Sequence, residues 1–290
     1  MVEVGSTIAQ ADVLSWLRRR ADHSVDVIVT SPPYNIGVAY DGDTTRDKRK
    51  ADDYIKWSVA WITEALRVSR RGIILNLGAA ASNHNLMFRL LGAIAERFFI
   101  QNVIVWVKSV HVGDRTMGHF KPLNSERFVN NTHEYVFHVT ADGKQPLNKL
   151  AVGVPYADKS NLTRFTSASG GKAKADKRCR GSVWFLPYET RKQKKAHPAT
   201  YPVELAEWMI KLSGAEGSVC DPFVGSGSTA VAAKRLGLAF RGCDVSKAYV
   251  AMARAAAAAE KGKSEGRPLP PRRPKIRIPL RQPFQESLAL

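Results

Sequence analysis

The chain predicts an α/β protein in which a largely parallel sheet carries helices on both faces. Strand-like and helix-like segments alternate along most of its 290 residues, the pattern of an α/β sheet rather than of separate helical and strand domains. The run Val25–Thr30 reads as a strand buried on both sides, which is the parallel-sheet type. A third observation is the order strand, glycine turn, helix between Val219 and Leu236. A chain of this length can hold one large domain, or one with a subdomain.

In order, Thr7–Ala11 reads as a strand and Val13–Arg20 as a helix with basic residues at its C-terminal end, where the helix dipole favours them. The strand Val25–Thr30 follows. Gly37–Asp53 is polar and crowded with charge and reads as a mobile loop. Apolar residues at helical spacing predict a helix over Tyr54–Val68, then a strand over Gly72–Leu77. A helix over Asn85–Phe98 precedes strands at Asn102–Val107 and His133–Val139, the latter rich in β-formers. The connection Ser109–Thr132 between those strands reads as a long functional loop. From 141 to 196 the chain carries thirteen Lys and Arg against four acids, with Gly170-Gly171 and Ser/Thr clusters that argue for loops; a solvated basic face would look the same. Regular structure resumes with a helix over Tyr201–Leu212, a strand at Ser218–Asp221, a helix at Thr229–Leu236 and a strand at Ala239–Cys243. A last helix begins at Lys247, favoured by alanines 255–259, and Pro and Arg dominate the tail from 263 to 290.

Two segments carry chemistry. At the end of Val25–Thr30 stands Ser31-Pro32-Pro33-Tyr34. Two prolines cannot continue a ladder, because neither has an N–H and both fix φ near about −65°. The strand must stop, leaving a hydroxyl, free carbonyls and an aromatic face for a flat ring that bears an amine. A Pro-rich turn after a buried strand would read the same way. The second segment is Asp221-Pro222-Phe223-Val224-Gly225-Ser226-Gly227-Ser228-Thr229. Gly225 and Gly227 let the backbone approach a ligand closely. It is neither a dinucleotide fingerprint nor a phosphate-binding P-loop, since the third glycine and the Gly-Lys-Ser/Thr ending are absent.

Together these segments resemble the S-adenosylmethionine-dependent DNA amino-methyltransferases. Their order, tetrapeptide early and glycines late, is similar to the circularly permuted β group of that family. His197-Pro198-Ala199-Thr200 resembles the cofactor-side motif before the glycine strand, and Gly242-Cys243-Asp244 the acidic strand end that holds the ribose. Trp106-Val107-Lys108, and Arg127-Phe128-Val129 with His133-Glu134, resemble the region near the target base. The resemblance covers about residues 5–255. It implies a class I, Rossmann-like sheet within residues 1–262, with residues 141–196 as a target-recognition insert.

The resemblance also implies roles. Ser31 and the Pro32 carbonyl would accept the hydrogens of an exocyclic amine, Pro33 would complete the turn, and Tyr34 would stack on a base flipped from the duplex. Asp221, with Pro222, Phe223, Gly225, Ser226 and Gly227, would face the methionine part of S-adenosyl-L-methionine. Asp244 would hold the ribose, or else cap the following helix; Asp12 would contact the adenine amine, or equally cap its own helix. His197, Pro198 and Thr200 would shape the pocket. Lys108 and Arg127, with Lys172, Lys174, Lys177, Arg178 and Arg180 of the insert, would contact DNA. The chemistry needs no metal. Ser at the head of the tetrapeptide accompanies cytosine N4 as acceptor, while Asp usually accompanies adenine N6. Adenine N6 is the nearest alternative, a protein glutamine methyltransferase fits the basic insert poorly, and the intact Ser31, Tyr34, Asp221 and Gly225 argue against a DNA-binding protein that has lost catalysis.

Bulk properties agree. A formal charge of +18 and a pI of about 10.0 imply a polyanionic partner, here double-stranded DNA. No run of eighteen apolar residues exists to span a membrane, and the N-terminus lacks an export pattern. The expectation is a cytoplasmic, nucleoid-associated bacterial or archaeal enzyme, monomeric or homodimeric, working alone or with a cognate restriction endonuclease. Cys179, Cys220 and Cys243 lack metal-ligand spacing, and the last two read as small apolar fillers.

Overall fold

The protein, described from a computed structural model, is defined over residues 7–40, 42–43, 47–118, 123–157, 176–187 and 201–261. His197, Pro198, Thr200, Lys172, Lys174 and the tail from 263 to 290 lie outside these described residues.

β1 (Thr7–Gln10) and α1 (Val13–Arg18) open the chain, followed by β2 (Val27–Thr30), α2 (Ala51–Val68), β3 (Ile73–Leu77) and α3 (Asn85–Ala95). Next come β4 (Phe99–Val107), a hairpin of β5 (Ser109–Val112) and β6 (Arg115–Gly118), β7 (His133–Thr140), and three short strands, β8 (Val154–Pro155), β9 (Lys177–Arg178) and β10 (Val183–Phe185). The chain closes with α4 (Val203–Ser213), β11 (Ser218–Asp221), α5 (Ser228–Arg235), β12 (Ala239–Asp244) and α6 (Lys247–Ala259).

Eight strands form one sheet in the order β1-β12-β11-β2-β3-β7-β4-β10. All neighbours are parallel except β7, which runs antiparallel to both β3 and β4. Alternation along β2 shows how the layers are built: Val27 and Val29 enter the core shared with α4 and α5, while Ile28 enters the core shared with α1 and α2. From β2 the chain steps outward to β3, and from β11 it steps the other way to β12. The crevice between those two crossovers opens at the carboxyl ends of β2 and β11, the topological switch point at which α/β sheets bind ligands.

Four expectations are revised. The strand expected from Val25 begins at Val27, because Asp26 turns its buried carboxylate onto the backbone N–H groups of Glu216, Gly217 and Ser218 and onto Arg70. β4 starts at Phe99 rather than Asn102, its first residues joined to β7 across a register shift between Ile100 and Asn102. The connection expected to be a loop over Ser109–Thr132 contains the β5–β6 hairpin, turned by Gly113 at φ 58° and Asp114. The insert within the domain, expected to be loops, contributes to the packed core over its described residues: β10 pairs with β4, and Val152, Trp184 and Leu186 are buried there.

The charged loop after the tetrapeptide is organised by one side chain. Asp47 is buried, and its carboxylate accepts from the backbone N–H groups of Asn35, Ile36 and Val38 at 2.7, 3.1 and 2.9 Å. Asn35, at φ 60°, exchanges two further hydrogen bonds with the Arg49 backbone. Charge crowding predicts a mobile loop here; over its described residues the buried carboxylate instead serves as a fixed anion in a nest of donors.

Candidate functional site: a cleft at the switch point

A cavity of about 680 Å³ lies at the switch point. Its walls come from the ends of β2, β3, β11 and β12, from the β7 start, and from the loop organised by Asp47. Ser31, Pro32, Pro33 and Tyr34 all line it, and so do Pro222, Phe223, Gly225 and Ser226. The two motifs stand about 190 positions apart in sequence and share one cleft because β2 pairs with β11.

Opposite walls differ in chemistry. On the β12 side, Asp244 accepts from Gly225 N–H at 3.0 Å through Oδ2 and from Ser246 N–H at 2.9 Å through Oδ1. The cap of α6 is Ser246, which accepts from Tyr249 N–H, so Asp244 is not that helix's cap. Its carboxylate faces the cleft while holding the glycine loop against it. Asp12 does cap α1, accepting from Ser15 N–H and Oγ through Oδ1 alone, and it also lines the cleft. Phe223 is wedged between Trp57 and Trp61 of α2, with ring centroids at 5.7 and 5.1 Å. Gly225, at φ 48°, brings its backbone to the cleft wall.

Gly227 has a different task from the expected one. It adopts φ 89°, precedes α5, and lies so close to α6 that a Cβ would sit 2.8 Å from Ala253 Cα. It is a packing glycine behind the wall, not part of it.

Asp221 is the larger correction. It follows a strand as Asp244 does, yet it is 1% exposed and does not reach the cleft. Oδ1 accepts from Thr30 Oγ1 at 2.6 Å and Phe223 N–H at 3.0 Å, while Oδ2 accepts from Thr229 Oγ1 at 2.6 Å. The carboxylate therefore ties the end of β2, the glycine loop and α5 together beneath the site. Burial pushes this carboxyl up to about 6, against the opposing hydrogen bonds from Thr229, Thr30 and Phe223. A raised folded pKa means that the folded chain holds the proton more tightly than the unfolded chain does. The resulting stability is complete below the unfolded value and is lost as pH rises through about 6. Relative to Asp221→Asn, the unsubstituted protein is expected to lose melting temperature as pH goes from about 4 to about 7. Parallel melting curves for the two across that range would refute it.

On the β2 side the polar atoms form a chain. Ser31 Oγ lies 2.7 Å from the Tyr34 hydroxyl, which donates to Glu134 Oε2 at 3.1 Å. Asn76, buried at the end of β3, donates from Nδ2 to the Tyr34 oxygen at 2.8 Å and to Glu134 Oε2 at 2.6 Å. Lys108 donates to Glu134 Oε1 at 2.8 Å. Tyr54 OH, from α2, donates to the Pro33 carbonyl at 2.8 Å and fixes the proline turn from below. The Tyr34 phenol is held well above its ordinary range by burial and by the neighbouring Glu134 carboxylate.

The expected DNA contacts divide. Arg127, Lys177 and Arg178 are exposed. Lys108 instead faces the cleft, paired to Glu134. Arg180 is spent on the fold: its guanidinium lies 4.0 Å over Trp208, and Nε donates to the Val152 carbonyl at 2.9 Å. Its departure from the expectation follows from the burial of the insert's ends in the core. Asn76 escaped the sequence reading, although a lone amide among Ile73-Ile74-Leu75 and Leu77 was a legible signal. Cys220 and Cys243 are buried, as small apolar fillers would be.

A family model described as DNA methylase matches residues 25–255. Among curated proteins, type II methyltransferase M.HpaI of Haemophilus parainfluenzae is 27% identical over 247 residues, 84% of this chain and 71% of that protein. Type II methyltransferase M.BglII of Bacillus subtilis is 28% identical over 266 residues, 85% of this chain and 67% of that protein. Among solved structures, the PvuII DNA methyltransferase (cytosine-N4-specific) superposes with a TM-score of 0.62 at 17% identity, covering 87% of this chain and 86% of that one. A putative DNA modification methylase of Thermus thermophilus, complexed with S-adenosyl-L-methionine, gives 0.55 at 20% identity over 89% and 95%. At these identities the structural likeness is one of fold.

Proposed function

The chain belongs to the DNA methylase family whose model spans residues 25–255, and on that premise we propose that it transfers a methyl group from S-adenosyl-L-methionine to the N4 amine of a cytosine flipped out of double-stranded DNA. One observation carries the reading: the Ser31 tetrapeptide and the Asp244-clamped glycine loop line the same cavity.

The residues present suit the cofactor. A volume of about 680 Å³ falls within the range of roughly 300–1,000 Å³ usual for small-molecule sites. Asp244 and Asp12 offer carboxylate acceptors for hydroxyl and amine groups, Gly225 and Ser226 offer backbone, and Phe223 offers an apolar face. When bound, S-adenosyl-L-methionine supplies a methyl carbon already activated by its sulfonium.

An exocyclic amine is a poor nucleophile because its lone pair is conjugated into the ring. Ser31 Oγ accepting one hydrogen and the Pro32 carbonyl accepting the other would favour a pyramidal nitrogen with its lone pair turned outward. Positioning then supplies most of the acceleration. Tyr34 offers a ring face to the flipped base, and exposed Arg127, Lys177 and Arg178 suit phosphates. Ser, rather than an acid, at position 31 supports cytosine. The type II relatives suit a modification enzyme, with or without a cognate nuclease.

DNA from cells that lack both amine methylations and express this chain is expected, after digestion to nucleosides, to contain N4-methyldeoxycytidine. N6-methyldeoxyadenosine in its place would move the acceptor to adenine, and the absence of both in cells that hold folded protein would defeat the reading.

A further inference from the structure

We infer that Glu134 is a positioning residue that fixes the direction of the Ser31–Tyr34 hydrogen-bond chain, so that Ser31 meets the substrate as an acceptor and the pocket selects an amine over a carbonyl. The inference rests on the proposed amine methylation and goes beyond it by naming what sets the site's preference.

The available hydrogens fix the direction. A carboxylate can only accept, so the bond between Tyr34 OH and Glu134 Oε2 consumes the single phenolic hydrogen. Burial and Glu134 itself disfavour loss of that hydrogen. The 2.7 Å bond between Tyr34 and Ser31 must then run from Ser31 to Tyr34. The Ser31 hydrogen is committed away from the substrate, and lone pairs are what its oxygen presents to the cleft.

The neighbours enforce the same direction. Asn76 Nδ2 donates both to the Tyr34 oxygen and to Glu134 Oε2, and an amide turned the other way would set its oxygen against a carboxylate at 2.6 Å. Lys108 occupies Oε1, so Glu134 offers Oε2 to the chain. Space is reserved as well: a Cβ on Gly78 would stand 2.9 Å from Tyr34 Cε2 and 3.2 Å from Glu134 Cγ. A bare backbone at that position lets the ring and the carboxylate meet. A cytosine N4 amine donates, whereas the O4 of uracil only accepts; the chain as directed rewards the first.

Glu134→Gln removes the acceptor that fixes the direction without changing shape. With the Gln oxygen held by Lys108, its nitrogen takes the place of Oε2, and Asn76 must turn its own amide oxygen toward that nitrogen. The phenolic hydrogen, no longer claimed by a carboxylate, is free to turn to Ser31, and the Ser31 hydrogen is free to turn into the cleft. The probes are two duplexes of the sequence methylated in cells, one with deoxycytidine at the target position and one with deoxyuridine. Affinity is read with S-adenosylhomocysteine present. The mispair helps flipping equally in every variant, so the quantity read is the ratio of the two Kd values. Glu134→Gln is expected to move that ratio toward deoxyuridine by about tenfold or more. Tyr34→Phe keeps the ring but releases Ser31, and should move it partway. An unmoved ratio in Glu134→Gln, with melting temperature and cofactor affinity retained, would overturn the inference. If that variant does not fold, an unmoved ratio in Tyr34→Phe overturns it instead. Failure of the unsubstituted protein to methylate DNA in cells would remove the amine reading itself, a separate result from an unmoved ratio.

Discussion

Ser31→Ala is expected to lower kcat by about two to three orders of magnitude, the loss seen when one preorganised polar contact to a transition state is removed. S-adenosyl-L-methionine affinity should be essentially unchanged. The side chain is small, lines the cleft, and makes no hydrogen bond to the glycine loop among those described, so its loss leaves the cofactor wall intact. Tyr34→Ala should add a loss of roughly 1–3 kcal/mol in binding of the flipped base through lost stacking. It also strips Glu134 and Asn76 of a partner along with the ring, so its melting temperature should fall further than that of Ser31→Ala, which chiefly takes one partner from Tyr34. Single-turnover transfer at saturating cofactor, with calorimetry for the cofactor, separates the terms. Undiminished transfer combined with lost cofactor binding would assign the tetrapeptide to the wrong half of the reaction.

Asp244→Ala is expected to weaken S-adenosyl-L-methionine binding by roughly 1.5–3 kcal/mol, one to two orders of magnitude, as loss of a charge-assisted hydrogen bond would. Two effects act together there. The cleft loses its acceptor on β12, and Gly225 N–H and Ser246 N–H lose the carboxylate that holds the glycine loop in place. Duplex affinity measured without cofactor should hardly change. Ser246→Ala is the control, because it removes the true cap of α6 at a cost of about 0.5–2 kcal/mol in stability. If Asp244→Ala merely copied that variant, with a lower melting temperature and unaltered cofactor affinity, its role would be confined to the fold.

Much of this site can be read from one sequence because its motifs obey local rules. Pro32-Pro33 must end β2, and β2 does end at Thr30. Gly225 needed a position free of side-chain bulk, and its backbone does line the cleft. Other features failed to show for equally physical reasons. The β5–β6 hairpin had a signal, Gly113-Asp114 between two short β-forming runs, that was outweighed by the polarity around it. Asp47 had none, since a buried carboxylate in a nest of backbone donors looks in sequence like any acid in a charged loop. Arg180 likewise reads as one more cation in a basic run until Trp208 is placed beneath it.

Asp221 and Asp244 mark the boundary most clearly. Both end a parallel strand, and the family resemblance implies a cofactor role for both. Local rules suffice for the α/β class, the order of the main strands and helices, and the placing of the two chemical motifs at strand ends, because proline geometry, glycine freedom and apolar periodicity act over a few neighbouring residues. Which acid faces the cleft depends on long-range packing. Thr30 lies 191 positions from Asp221 and reaches it only because β2 pairs with β11, and Thr229 meets it only because α5 folds back over the sheet. Once those two hydroxyls are buried, the carboxylate that can satisfy them is drawn inward. Asp244, at the next strand, meets backbone donors at the rim and keeps its place at the cleft wall.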